Sequence, residues 1–229
     1  MKGKVAMVTG ANGGLGTHVT QALLDAGATV IGVSQKIQPA DFNSPLFTAI
    51  PGDVATAAGV QKVADSVVSR FGRLNIVVHT VGGFAGGQPV AATDDATFQH
   101  MLELNLNSAF FLLRAVIPIL RQTGDGHIIA IGSRAALEPG AGVGAYSCSK
   151  AALVALMRSI ALENQDVGLT ANVILPGTID TPANRRAMPK ADRTQWVQPQ
   201  HIASLIVWLA SQAGKDLNGA AIPVYGSAP

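Results

Sequence analysis

Short apolar runs alternate with longer helix-like segments along the whole chain. The runs of strand length cover residues 5–8, 29–33, 76–79, 127–131, 169–175 and 221–224. The helix-like segments cover residues 15–26, 56–71, 95–121, 147–164 and 199–212. Strands that are apolar throughout, without polar alternation, are typical of parallel sheets covered on both faces. With one further short strand before Gly52, the pattern predicts an α/β fold, a doubly wound parallel sheet of about seven strands with helices on both faces.

The series runs on without a linker, a low-complexity tract or an internal repeat. One domain over residues 1–229 is therefore the simplest organisation. Two connections depart from the regular pattern. Residues 35–45 hold two prolines and are too short for a full helix. Residues 182–199 are rich in charge and proline, and we interpret them as a flap, because segments of this kind often cover substrates.

Composition narrows the classes of partner. Of 229 residues, 48% are hydrophobic and only 13% are charged, with a formal net charge of +2. Because the basic residues are scattered, we expect neither nucleic acid nor a membrane surface as a partner. No apolar stretch approaches a bilayer span and no signal peptide is evident, so a cytoplasmic location is expected. The histidine spacing suggests no metal site, and the single cysteine, Cys148, is expected to be a small buried hydrophobe.

A glycine-rich turn follows the first strand and leads directly into a helix. It reads TGANGGLG from Thr9 to Gly16. Glycines let the backbone lie close to a pyrophosphate, and the helix N-terminus offers free N–H groups to the anion. The turn therefore predicts a dinucleotide site, and the residues assigned to it here are Gly10, Asn12, Gly14, Leu15 and Gly16. Asp53, after the third strand, is placed to accept from an adenine amino group, although an aspartate there is also a common helix cap.

Tyr146 and Lys150 form a candidate reactive pair, since residues four apart on a helix share one face. A phenol ordinarily titrates near pH 10, and a nearby ammonium or an oxidised nicotinamide favours its ionised form. Tyr146 could then act as a general acid in carbonyl reduction and as a base in reverse. Ser133, just past a strand end, could hold the substrate oxygen. The same spacing is common by chance, and its combination with the glycine turn favours the catalytic interpretation.

Together these residues resemble the short-chain dehydrogenase/reductase family along essentially the whole chain. The family's glycine motif matches Thr9 to Gly16, its tyrosine and lysine match Tyr146 and Lys150, and its serine matches Ser133. The resemblance implies hydride transfer between a nicotinamide dinucleotide and a carbonyl or alcohol. It also implies that Asn105 holds a water on a proton path to Lys150. Further cofactor contacts implied by the resemblance fall on Val54, Val81, Gly82, Tyr146, Lys150, Ile179 and Thr181.

Departures from the family pattern bear on the cofactor. The family's Asn-Asn-Ala-Gly is replaced by a stretch beginning at His79, which we interpret as a structural substitute on the adenosine side. Members that use NAD usually carry an aspartate where Ser34 stands. Ser34 and Lys36 could instead accept a 2′-phosphate, although the basic residue that other NADP members carry in the glycine turn is replaced by Gly13. We therefore expect NADP(H) to be favoured over NAD(H).

Two other functions stay open. Residues 82–87 and 180–189 look like the dihydropteridine reductase branch, but that branch typically lacks the serine that Ser133 provides. A regulator that binds NADP(H) without turnover is the other alternative, and the intact set of Asn105, Ser133, Tyr146 and Lys150 argues against it. The substrate pocket is expected to be mostly apolar, with candidate residues Phe84, Ala135, Ala136, Leu137, Val143, Met188 and Trp196.

The helices at 95–121 and 147–164 are apolar nearly all round. Such helices need cover on more than one side, and the sheet covers only one. Family members commonly pair these two helices across a two-fold axis. We therefore expect a homodimer or a homotetramer through them.

Overall fold

The structure is a computed structural model that describes residues 1–226. It contains a parallel seven-stranded sheet in the order β3-β2-β1-β4-β5-β6-β7. The strands are β1 (Val5–Thr9), β2 (Thr29–Ser34), β3 (Phe47–Pro51), β4 (Ile76–His79), β5 (His127–Ile131), β6 (Thr170–Pro176) and β7 (Ala221–Val224). The order reverses between β1 and β4, and a crevice forms beyond the carboxyl ends of the strands at such a point. The predicted fold class is confirmed.

Helices cover both faces of the sheet, because successive strand residues point to opposite sides. They are α1 (Gly16–Asp25), α2 (Ala57–Phe71), α3 (Asp95–Leu102), α4 (Ser108–Arg121), α5 (Gly144–Glu163), α6 (Pro182–Ala187) and α7 (Pro199–Leu209). In β1, Met7 joins the apolar layer under α2, α4 and α5. Its neighbour Val8 joins the layer under α1 and α7. Both residues are fully buried, as expected for a doubly covered strand.

The predicted helix over 95–121 is present, but it changes pitch in its middle. Between α3 and α4 a π-helical segment, Glu103–Asn107, carries Asn105. By length and composition this 27-residue run could cross a membrane, contrary to the sequence-based expectation that no segment could. Yet Leu112, Leu113 and Val116 of α4 are buried in the core of the protein. The core helix of a soluble protein passes the same test, so the run is weak evidence for a membrane span.

Two sequence-based expectations need correction. Helix α5 begins at Gly144, three residues before the predicted start, so Tyr146 lies inside its first turn. Cys148 is exposed, not buried, because it lies on the outer side of α5 while Ser147 and Ser149 face inward. As expected, residues 35–45 form no α-helix and contain only a short 3₁₀ turn, Pro39–Asp41.

The segment interpreted as a flap is only partly exposed. It begins with α6, and the following residues run along the surface to Trp196 and Val197, which are both buried. Val197 pairs with Ile179, just beyond the end of β6. The segment is thus anchored at its end next to the carboxyl edge of the sheet.

Candidate functional site

A cavity of about 430 Å³ opens at the carboxyl ends of β1, β2 and β3. Six of the predicted cofactor residues line it, namely Gly10, Asn12, Ser34, Asp53, Val54 and Val81. Lys36 also lines it, as the sequence suggested. The Asp53 carboxylate accepts a hydrogen bond from the Ala55 N–H at 2.9 Å, which holds the carboxylate within its own loop. These residues lie at the ends of four strands, β1, β2, β3 and β4, and the strand order brings them together.

The glycine turn leaves no room for a side chain at Gly14 or Gly16. A Cβ on Gly16 would overlap the Gly10 carbonyl oxygen, and one on Gly14 would lie 2.9 Å from the Thr181 Cβ. Gly10 has a φ of +69°, in the left-handed region that favours glycine. The bare backbone of this turn therefore runs from the cavity into the start of α1, which is the arrangement a pyrophosphate requires. On this observation the residues present fit a dinucleotide.

Of the remaining predicted cofactor residues, none borders the cavity itself. Gly14 lies against Thr181, whose hydroxyl accepts from the Asn184 N–H at the start of α6. Leu15 and Gly16 are buried beneath the turn. The Ile179 carbonyl oxygen accepts from the Asn184 Nδ2 at 2.8 Å. The flap segment and the glycine turn thus meet beside the cavity.

Lys150 is held beneath the carboxyl end of β5. Its Nζ donates to the Ile131 carbonyl oxygen at 2.9 Å, and the side chain is 4% exposed. Burial lowers the pKa of Lys150 to about 8. A Cβ on Gly82 would lie 3.0 Å from this Nζ, so the glycine leaves the ammonium open toward the loop after β4.

Tyr146 lies on the same side of α5 as Lys150, as the four-residue spacing predicted. The Lys150 Nζ is 6.0 Å from the centroid of the Tyr146 ring. Phe84 contacts the ring edge-to-face, with centroids 5.0 Å apart. Burial raises the pKa of Tyr146, and a hydrogen bond with the Ser133 side chain opposes this rise in part. Without a dinucleotide, the protein therefore favours the neutral phenol.

Asn105 is completely buried and all its side-chain atoms are engaged. Its Oδ1 accepts from the Gly83 N–H at 2.9 Å, and its Nδ2 donates to the Gly83 carbonyl at 3.1 Å. The Nδ2 also donates to the Ser149 Oγ at 3.1 Å. Ser149 in turn donates to the Tyr146 carbonyl at 2.7 Å. Asn105 therefore links the loop after β4 to the turn of α5 that carries Tyr146. The π-helical segment that carries Asn105 is of a kind frequently found at functional sites.

His79 links the sheet to the π-helical segment. The Ser108 Oγ donates to the Leu104 carbonyl at 2.7 Å, so it accepts from His79 Nε2 at 3.3 Å. His79 Nδ1 is then the acceptor for the Thr9 hydroxyl at 2.9 Å. Burial, and next the charge of Lys150, lower the pKa of His79 to about 3. The imidazole is neutral near pH 7. Its buried position agrees with the expected structural role, but His79 does not line the cavity on the adenosine side as expected.

The structure brings Asn105, Ser133, Tyr146 and Lys150 together, although they come from three segments. The sequence did not point to the Ile131 carbonyl, because main-chain atoms leave no residue-specific signal. Nor did it single out Ser149, whose position between Tyr146 and Lys150 was the available clue. Asp41, whose carboxylate accepts from Asn12 beside the cavity, was also missed.

The chain is similar to known short-chain dehydrogenases over most of its length. A family model described as short chain dehydrogenase matches residues 4–192. The chain is 30% identical to the 3-oxoacyl-acyl-carrier-protein reductase FabG of Salmonella typhimurium, over 98% of this chain and 97% of that protein. It is 29% identical to the 4-formylbenzenesulfonate dehydrogenase of Comamonas testosteroni, over 97% of this chain and 96% of that one. The Pseudomonas aeruginosa RhlG/NADP active-site complex superposes with a TM-score of 0.90 at 29% identity, over 99% of this chain and 96% of that chain.

The matched range includes the glycine turn, Asn105, Ser133 and the pair Tyr146 and Lys150. It therefore covers both the cavity residues and the buried polar cluster described above. The likeness to FabG extends over nearly the full length of both proteins. This chain belongs to the short-chain dehydrogenase/reductase family and is an NAD(P)-dependent oxidoreductase.

Proposed function

We propose that the chain interconverts a carbonyl and an alcohol, with Tyr146 as general acid and base. The observation that carries the proposal is the buried Lys150 ammonium, fixed by Ile131 and lying 6.0 Å from the Tyr146 ring. Hydrogen bonding between Ser133 and the phenol completes the group. When bound, a nicotinamide supplies or accepts the hydride. The groups that move and hold the proton all belong to the protein.

Each side chain has a proposed part. Because burial raises the pKa of Tyr146, the phenol is protonated at neutral pH and can donate to a carbonyl oxygen. The Ser133 Oγ accepts from the Ala135 N–H at 3.2 Å, which leaves its own proton for the substrate oxygen or the phenol. Lys150 favours the phenolate that remains after proton transfer. Asn105 keeps the loop after β4 and the start of α5 in register, and on the family resemblance it maintains the proton path to Lys150.

The dinucleotide is proposed to lie along the cavity and the glycine turn. The proposed contacts are Gly10, Asn12, Gly14, Leu15, Gly16, Ser34, Asp53, Val54, Val81, Gly82, Tyr146, Lys150, Ile179 and Thr181. A preference for NADP(H) over NAD(H) stays a prediction, supported by Ser34 in place of an acid and by Lys36 in the cavity wall. The RhlG complex contains NADP, which agrees with this preference without deciding it here.

A hydrophobic substrate is proposed from apolar side chains that follow the carboxyl ends of the strands, one of which, Phe84, contacts Tyr146. Phe84, Leu137 and Met188 are 66%, 50% and 38% exposed, and they follow β4, β5 and β6 respectively. Large exposed apolar side chains grouped at one edge of a sheet often mark a binding surface. A smaller cavity of about 150 Å³, lined in part by Val143, opens between the loop after β4 and the start of α5. A cytoplasmic location and a flap role for 182–199 belong to the same proposal.

The test is oxidation of NADPH and NADH, followed at 340 nm, with ketones, aldehydes and a quinonoid dihydropterin. Tyr146→Phe removes only the phenolic oxygen, and we expect kcat/KM for the best carbonyl to fall about 100-fold or more. Tyr225→Phe is the matched control, since Tyr225 packs under the Arg134 guanidinium and lies outside the proposed machinery. It should stay within about twofold of wild type, because the change keeps the ring and removes only a hydroxyl that bonds Glu138.

The outcomes separate the alternatives. Turnover of the pterin alone, or a Tyr146→Phe variant as fast as wild type, would favour the dihydropteridine reductase type. Tight dinucleotide binding without turnover of any carbonyl would favour a silent regulator.

A further inference from the structure

The 3₁₀ turn after β2 places a carboxylate beside the dinucleotide cavity. Asp41 ends this turn, and its Oδ2 accepts from the Gln38 N–H at 3.0 Å. The same oxygen accepts from Asn12 Nδ2 at 3.2 Å. Asn12 belongs to the glycine turn and lines the cavity, whereas Asp41 stands behind it. The carboxylate is therefore fixed from two sides, by its own loop and by the cofactor turn.

The hydrogen bond to Asp41 determines which way the Asn12 amide points. A carboxylate can only accept, so the Asn12 NH₂ must face it and the Oδ1 must face away. The Oδ1 then accepts from the Ser34 hydroxyl at 2.7 Å. The single proton of Ser34 is used in this bond, and its oxygen also lies 3.4 Å from the Lys36 N–H, which it accepts weakly. The chain of bonds thus runs from Ser34 through Asn12 to Asp41.

The direction of these hydrogen bonds leaves hydrogen-bond acceptors facing the cavity at Ser34 and Asn12. With its proton committed to Asn12, the Ser34 oxygen presents a lone pair, and so does the Asn12 Oδ1. A ribose 2′-hydroxyl can donate to such a wall. A 2′-phosphate, which offers acceptor oxygens and nearly two negative charges, meets acceptors and the field of Asp41 behind them. Lys36 is exposed on the cavity wall, and its positive charge attracts a 2′-phosphate.

We propose that Asp41, acting through Asn12 and Ser34, is a specificity-determining residue that lowers the affinity of the cavity for a 2′-phosphorylated dinucleotide. Asp41 thereby takes over part of the role of an acid at the end of β2, where this chain has Ser34. The inference rests on the proposed dinucleotide site and refines it. Asp41 opposes Lys36, so the balance between NADPH and NADH depends on both.

The test compares dissociation constants of NADPH and NADH, from tryptophan fluorescence quenching or calorimetry, in wild type and Asp41→Asn. Asparagine keeps an acceptor for Gln38 and Asn12 and removes the charge. We expect NADPH to bind about tenfold more tightly to Asp41→Asn, as removal of one nearby charge allows. NADH should change by no more than about twofold, because its 2′-hydroxyl carries no charge. Two probes without a nicotinamide should behave in the same way. Adenosine 2′-monophosphate should bind more tightly to Asp41→Asn than to wild type, and adenosine 5′-monophosphate should bind about equally to both.

Two controls isolate the charge effect from a general loss of structure. Asp25→Asn removes the same charge at the carboxyl end of α1, the end of that helix away from the glycine turn, and should leave the ratio unchanged. In 0.5 M NaCl the difference between Asp41→Asn and wild type should shrink to below about threefold, because surface charges are then screened.

Equal shifts for both dinucleotides, or the same shift in Asp25→Asn, would overturn the role of Asp41 and leave the dinucleotide site intact. If wild type binds neither NADPH nor NADH, the proposed function fails and the inference fails with it.

Discussion

The Lys150 Nζ donates a hydrogen bond to the main-chain carbonyl of Ile131 across 2.9 Å. The acceptor is neutral, so the bond satisfies a donor of the ammonium without cancelling its charge. Burial of a charge that is not cancelled favours the uncharged amine, and the pKa of Lys150 is lowered to about 8. The lysine is thus positioned by the end of β5, two residues before Ser133, and its charge is sensitive to mild alkali.

The pH dependence of the reaction should report this ionisation. For carbonyl reduction, kcat/KM should fall as pH rises through about 8, because the enzyme that binds the carbonyl then loses the Lys150 charge that favours phenolate. Tyr146 does not explain such a fall, since burial raises its pKa above the ordinary value near 10. The measurement is kcat/KM from pH 6 to 10 at saturating dinucleotide.

Lys150→Arg provides the control, because a guanidinium keeps its charge throughout this range. Any residual activity of that variant should show no fall near pH 8. A wild-type profile that is level from pH 7 to 9.5 would contradict the assignment.

His79 should make the protein sensitive to acid. The pKa of His79 is lowered to about 3 in the folded state, against an ordinary value of 6.5 in the unfolded chain. Below pH 6.5 the unfolded chain therefore binds a proton that the folded protein does not. The stability contributed by neutral His79 is complete above pH 6.5 and is lost as pH falls toward 3. The free energy of unfolding should decrease by up to about 1.4 kcal/mol per pH unit from this group.

Urea unfolding at pH 7, 6, 5 and 4 measures this slope. His79→Asn should be less stable at pH 7, because the bonds to Thr9 and Ser108 are altered, and should show a shallower slope. His201→Asn, a change at an exposed position on α7, should keep the wild-type slope. Equal slopes in wild type and His79→Asn would contradict the prediction.

Two neighbouring serines on the inner side of α5 should respond in opposite ways to removal of their hydroxyl. Ser149 bonds both Asn105 and the Tyr146 carbonyl. Ser147 Oγ is buried and has no hydrogen-bond partner among residues 1–226. Ser149→Ala should lower the free energy of unfolding by about 1–2 kcal/mol and reduce kcat, because Asn105 loses an acceptor. Ser147→Ala should be neutral or slightly stabilising.

Urea denaturation and steady-state kinetics on the two variants give the comparison. Because the positions share one helix and the same substitution, helix propensity cancels. A Ser147→Ala variant as destabilised as Ser149→Ala would show that the hydrogen bonds described here do not account for the difference.

The outer sides of α4 and α5 should form a subunit interface. Phe110 on α4 and Leu162 on α5 are 44% and 70% exposed in the single chain. Exposed apolar side chains on these helices support the expected homodimer or homotetramer. Size-exclusion chromatography with light scattering should give two or four times the mass of one chain, 23.5 kDa. Phe110→Glu should shift the protein toward the monomer, whereas Leu46→Glu, on the loop before β3, should not. A monomeric wild type would refute the expectation.

Much of the architecture could be predicted because its signals are local or periodic. The apolar runs of β4 and β5 were found with their observed bounds, since strands buried on both faces are almost wholly apolar, here with one buried histidine in each. The start of α5 was placed too late because Gly144, in a glycine-rich stretch, is a poor helix former and hid the true first turn. The exposure of Cys148 was wrong because an apolar helix offers no periodic contrast from which to assign its faces.

The sequence by itself determined the fold class and the position of the glycine turn, and it singled out the candidate reactive side chains, because each depends on residue type and spacing along the chain. The tertiary structure alone decided the hydrogen bonds and the ionisation of those groups. The Ile131 carbonyl under Lys150, the engagement of Asn105 by Gly83 and Ser149, and the carboxylate of Asp41 behind Asn12 all join residues distant in sequence. Their effects depend on burial and on the direction of hydrogen bonds, and both arise only when the strands bring these segments together.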